Sequence, residues 1–117
     1  MKAIIEVARK GSIFSSAAKQ LVASRKGVSP DFHLSFESAK TLFSELTPAR
    51  LDLLNTLRAA GPCSVYALAK IAERNYSNIH TDVARLEELG LIAKSDEGSV
   101  SVPFESVEIL FSFAQVA

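Results

Sequence analysis

Two hydrophobic periods take turns along this chain, and each switch marks an element. Apolar and β-branched residues crowd the stretch KAIIEVA from Lys2 to Ala8, which predicts a strand. Gly11 ends it, and Ser12 then caps a helix reaching about Lys26, with Gly27 as its left-handed stop. Phe14, Ala17, Ala18, Leu21 and Val22 share one face of that helix. Ser29-Pro30-Asp31 signals a turn. Phe32, Leu34 and Phe36 alternate with His33 and Ser35, the period of a second strand. A short helix carrying Ala39, Leu42, Phe43 and Leu46 follows.

From residue 47 the helical period takes over. Thr47 is a good N-cap and Pro48 suits the first helical position, so a helix starts there. Leu51, Leu54 and Leu57 point inward with Leu53 alongside, and Gly61-Pro62 stops the helix. Ser64 caps the next helix, whose core face is Val65, Leu68, Ala69 and Ala72. Glu73-Arg74-Asn75-Tyr76 reads as a turn, and Ser77 as the cap of a third helix with Ile79, Val83, Leu86 and Leu89 inward. Gly90 ends it.

Two short strands follow, Leu91 to Lys94 and Ser99 to Val102, around a Ser95-Asp96-Glu97-Gly98 tip. After Pro103, Val107, Ile109, Phe111 and Phe113 alternate with Glu108, Leu110, Ser112 and Ala114, which reads as a strand with a helix as the alternative. The predicted class is α+β. A winged helix–turn–helix over 47–104, three helices plus a hairpin wing, follows a strand–helix appendage over 1–46 and precedes a C-terminal strand over 105–117.

Composition changes this picture little. A chain of 117 residues, 48% hydrophobic and 22% charged, can build a core and is not of disordered type. Glu6, Arg9 and Lys10 break up the first apolar run, so a signal peptide is not expected. No window approaches a membrane span, which makes the cytoplasm the simplest compartment. The single cysteine, Cys63, excludes an intramolecular disulfide and a multi-cysteine zinc site, and reads as a packed or idle thiol.

Charge cuts against the obvious use of such a fold. Net charge is zero, whereas phosphate contacts need Lys and Arg. Residues 1–46 hold seven basic against four acidic side chains, and residues 47–102 hold six against seven. A nucleic-acid reader of this composition needs a local basic face, a dimer that doubles the contacts, or both.

The third helix is the candidate reader. Opposite Ile79, Val83 and Leu86 it presents Asn78, Thr81, Asp82 and Arg85, with Tyr76, Ser77 and His80 at its N-terminal end. Asn pairs bidentately with adenine, and Arg85 suits guanine or a phosphate. The positive end of the helix dipole suits a phosphate at Ser77. Asp82 would repel phosphates and is expected to bond Lys70 or Arg74 and hold the turn. Lys94 on the wing is a further candidate, balanced by the acidic tip of Asp96 and Glu97. The candidate DNA contacts are therefore Ser64, Arg74, Tyr76, Ser77, Asn78, His80, Thr81, Arg85 and Lys94. The bland reading of the same residues is the solvated face of a three-helix bundle, and that of Lys94 is an edge-strand lysine that blocks aggregation.

The segment SVYALAKIAERNYSNIHTDVARLEELGLI resembles the winged helix of the multiple-antibiotic-resistance and arsenical-resistance regulator superfamily. It is more similar still to a small prokaryotic group of predicted transcriptional regulators. That group's pattern falls here on Arg74-Asn75-Tyr76, Asn78-Ile79-His80, Asp82-Val83, Leu86 and Gly90-Leu91-Ile92, and the likeness extends over about residues 35–104. The resemblance implies a DNA-binding regulator, often the antitoxin of a type II toxin–antitoxin system. Such a protein would repress its own operon as a homodimer and neutralise a small toxin. No residue in the chain points to the toxin by itself.

Other chemistry finds no support. His33 and His80 lack partners at metal-ligand spacing, and no nucleophile–base set or glycine-rich phosphate loop occurs, so neither a cofactor nor an enzyme is expected. Phe32, Phe36, Phe43, Phe104, Phe111 and Phe113 are core candidates, with the two terminal segments as a possible homodimer or toxin surface. A winged-helix protein–protein module with little DNA affinity is the second reading, favoured by net neutrality and the acidic wing tip.

Overall fold

The computed structural model describes residues 1–7 and 31–113. The helix expected from Ser12 to Lys26 lies outside the described residues. The observed order is β1 (Lys2–Val7), β2 (Phe32–Phe36), α1 (Ala39–Glu45), α2 (Pro48–Ala60), α3 (Val65–Ala72), α4 (Tyr76–Glu88), β3 (Ala93–Lys94), β4 (Val100–Ser101) and β5 (Ser106–Leu110). These make two compact units, one from 1–45 with 106–117 and one from 46–105.

The first unit is a parallel three-stranded sheet in the order β2-β1-β5. The N-terminal and C-terminal strands therefore pair with each other inside one chain rather than standing as separate pieces. Register sorts the side chains onto one apolar and one mostly polar face. Ala3, Phe32 and Val107 share one face with Ile5, Leu34 and Ile109, and with Val7 and Phe36. Ala3 and Ile5 on that face are fully buried. The other face carries Lys2, Glu6, His33, Ser35, Ser106 and Glu108 together with Ile4 and Leu110, and Lys2 Nζ lies 3.7 Å from Glu108 Oε1. An apolar/polar split is usual for antiparallel sheets and unusual for parallel ones, which tend to be apolar on both faces. Here the alternation in β2 and β5 imposes it.

The second unit packs three helices and a hairpin. Thr47 Oγ1 accepts from Arg50 N–H at 3.2 Å and Pro48 opens α2, as the sequence predicts. Gly61 closes α2 with φ 80°, a left-handed value that favours glycine. Ser64 caps α3 through Ala67 N–H at 3.0 Å. Leu53, Leu54 and Leu57 are buried in α2, Leu68 and Ala69 in α3, and Ile79, Val83 and Leu86 in α4. Leu53 thus takes the buried position that spacing assigns to Leu51, which is half-buried. Phe43 of α1 departs further from the predicted core, being exposed.

The hairpin is shorter than expected. Only Ala93–Lys94 and Val100–Ser101 pair as strands, because Leu91 and Ile92 turn inward and are buried. Ser95 N–H donates to Ser99 C=O at 2.8 Å, and Gly98 takes φ 90° at the tip. Cys63 bonds Val100 in both directions, at 3.1 and 2.8 Å, so the α2–α3 connection adds a third rung beside the hairpin. Beyond β5, Phe111 and Phe113 are exposed and meet edge to face at 5.6 Å between ring centres.

Candidate nucleic-acid interface

α4 is the element on which most of the singled-out residues gather, and its start decides which of them face outward. Its cap is Asn75, not Ser77: Asn75 Oδ1 accepts from Ser77 N–H at 2.8 Å and Asn78 N–H at 3.3 Å. One side-chain oxygen satisfies two of the helix's orphan donors, so the helix begins two residues earlier than a Ser77 cap would allow. Tyr76 is thereby helical, one turn before His80. The preceding turn is tight because Glu73 adopts φ 54°, a left-handed conformation uncommon for a residue with a side chain.

The inner side of α4 is fixed by apolar packing and one ionic clamp. Arg50 Nε of α2 donates to Asp82 Oδ1 at 3.0 Å, and Arg74 Nη2 of the α3–α4 turn donates to Asp82 Oδ2 at 2.8 Å. The Asp82 side chain is 14% exposed. One carboxylate thus joins two guanidinium groups, and the trio keeps a positive balance where a lone Asp82 would repel phosphates. Of the two partners expected for Asp82, Arg74 is the one it bonds, and Lys70 is not. Lys70 lies on the outer side of α3, its Nζ 4.7 Å from the centre of the Tyr66 ring. Arg50 was not singled out, because its pairing spans 32 residues of sequence and leaves no local pattern.

The outer side of α4 is open. Tyr76, Ser77, Asn78, His80 and Thr81 are all exposed, and Tyr76, Ser77, His80 and Thr81 line a shallow open depression. Thr81 Oγ1 donates to Ser77 C=O at 3.0 Å, which leaves its lone pairs available. The Asn78 amide group is bonded to nothing among the described residues. Arg85 Nη1 pairs with Glu88 Oε2 at 3.0 Å on the surface, a contact weak enough to exchange for another anion.

Three predicted contacts stand differently. Arg74 is committed to Asp82, so it holds the turn. The Ser64 hydroxyl oxygen is engaged as the α3 cap. Lys94 is exposed on β3, opposite Val100.

A row of rings crosses from α3 to α4. Tyr66 and Tyr76 lie 6.4 Å apart, centre to centre, and Tyr76 and His80 lie 5.9 Å apart. Tyr66 is 60% exposed and Tyr76 49%. Tyr66 could have been noticed in the sequence as the aromatic off the Val65, Leu68, Ala69 and Ala72 face, with Lys70 one turn later.

Among the described residues no group of three or more His, Cys, Asp or Glu could hold a metal ion, and no helix is long and apolar enough to cross a membrane. Burial pushes the Cys63 thiol up from its ordinary value, away from the reactive thiolate.

These features define a small α+β protein whose helical unit presents one polar, open helix. The model of the HVO_A0114 family matches residues 45–109, more than half of the chain. The chain belongs to the HVO_A0114 family. No curated protein and no solved structure matches it.

Proposed function

We propose that this protein is a double-stranded DNA-binding transcriptional regulator, built as a winged helix–turn–helix with α4 as reading helix and β3–β4 as wing. The observation that carries this reading is the contrast between the two sides of α4. Ile79, Val83, Leu86 and the doubly bonded Asp82 lock its inner side. Its outer side offers Ser77, Asn78 and Thr81, short polar groups with hydrogen-bonding capacity to spare. A rigid helix with a polar outer row suits base edges in the major groove.

A mobility-shift titration against DNA upstream of the protein's own gene, at two salt concentrations, tests the reading. Specific binding should weaken with salt and be lost in Asn78→Ala and Arg85→Ala. Binding unchanged in both variants would remove α4 from the reading role.

The finer form of this proposal is an autorepressing, cytoplasmic antitoxin acting as a homodimer beside a small toxin. Its support is the resemblance across Arg74 to Ile92 and the zero net charge, which leaves a single copy few basic contacts. Light scattering and co-purification with the product of the neighbouring gene test it. A monomer at DNA-binding concentrations would remove the dimer. The competing protein–protein module draws on the exposed acidic pair Asp96 and Glu97 at the hairpin tip; it predicts little DNA affinity and no preference for the upstream sequence.

A further inference from the structure

We infer that Lys70, Tyr66, Tyr76 and His80 form a backbone-holding row that takes the phosphates of one DNA strand beside the groove. This rests on the DNA-binding reading and adds a site on α3 to it. The row is continuous: Lys70 Nζ sits 4.7 Å from the Tyr66 ring centre, Tyr66 6.4 Å from Tyr76, and Tyr76 5.9 Å from His80. Tyr66 and Tyr76 sit side by side at the surface rather than scattered singly.

Geometry selects phosphates over bases. A base slotted between two rings needs them parallel and separated by roughly twice the ~3.4 Å step of a strand. These rings are tilted by 52° and 42° and already touch in sequence, so no slot exists between them. The row offers polar tips instead: two phenol hydroxyls, an imidazole and an ammonium, all able to donate to anionic oxygens.

Charge agrees. Lys70 makes no ion pair among the described residues, and Glu73, one turn on, does not pair with it. The other carboxylate nearby in sequence, Asp82, is taken by Arg50 and Arg74. The ring beneath the ammonium orients it without neutralising it.

Fluorescence anisotropy with the full chain tests this, using two labelled duplexes, upstream DNA and a scrambled sequence, and an unpaired oligonucleotide, over a range of salt. Lys70→Gln should weaken both duplexes alike and lower the slope of log K against log salt by roughly 0.9. Tyr66→Phe, which keeps the ring and loses the hydroxyl, should weaken both duplexes several-fold. Asn78→Ala, by contrast, should weaken the upstream duplex alone. Because these side chains are exposed, circular dichroism should stay unchanged. A wild-type slope kept by Lys70→Gln overturns the inference while leaving the DNA reading intact. So does tight binding of the unpaired strand that survives Tyr66→Phe and fails in Tyr66→Ala, since that pattern means base stacking. Failure of the wild type to bind either duplex overturns the DNA reading itself, and the row with it.

Discussion

Asp82 Oδ2 accepts a hydrogen bond from Arg74 Nη2 at 2.8 Å, eight residues back and across the α3–α4 turn. Its second oxygen takes Arg50 from α2 at 3.0 Å. A single side chain therefore ties α4 both to the turn before it and to α2. Asp82→Ala takes the shared carboxylate from two partly buried guanidinium groups and should cost about 2 kcal/mol, reduced from the fully buried case by the exposure of Arg74. Urea denaturation measures it. A double-mutant cycle with Arg74→Ala should return a coupling of about 1 kcal/mol, and additive losses would mean the bond does not hold the turn.

The choice of cap is testable at two adjacent positions. Asn75→Ala removes the acceptor of two backbone donors and should destabilise by about 1 kcal/mol. Ser77→Ala, at an exposed helical position, should change stability by less than about 0.5 kcal/mol. The reverse order of losses in thermal or urea unfolding would place the cap at Ser77.

Glu73 closes α3 with φ 54°, where a Cβ is strained. Glu73→Gly relieves that strain at some entropic cost, and should raise stability by about 0.5 kcal/mol. A fall in the urea midpoint would show that the Glu73 side chain contributes more than its backbone costs.

Burial raises the Cys63 thiol pKa, so the folded protein holds that proton more tightly than the unfolded chain does. The contribution to stability is complete below the unfolded value of about 8.5 and is lost as pH rises through the higher folded value. At pH 8 a disulfide reagent should label native Cys63 more slowly than Cys63 in urea. Equal rates would contradict the shift.

How much of this was legible in the sequence depends on how far each feature reaches along the chain. Local signals did well. Thr47-Pro48, Gly61 and Ser64 bounded helices as read, because a cap acts within three residues. Asn75 and Ser77 are both competent caps two residues apart, and sequence could not rank them; the one whose oxygen reaches two amides prevailed. The strand near Ile109 was read correctly, but its neighbour was not foreseen, since pairing with β1 joins residues about a hundred positions apart. In the site, Asn78 and Thr81 face outward as the 3.6-residue period of α4 predicts, whereas Asp82, expected on that same face, is drawn inward by Arg50 and Arg74. The Arg50 end of the clamp and the ring row did not, because both depend on how separate helices pack.

The order β2-β1-β5 places β1, the earliest of the three strands along the chain, between β2, which follows it closely, and β5, about a hundred residues later. Until residues 106–110 are made, β1 has an open edge of unpaired N–H and C=O groups. Such an edge invites a strand from another chain. Only a chain translated through Leu110 can close its own sheet, so chains cut short before β5 keep that edge open and are exposed to aggregation.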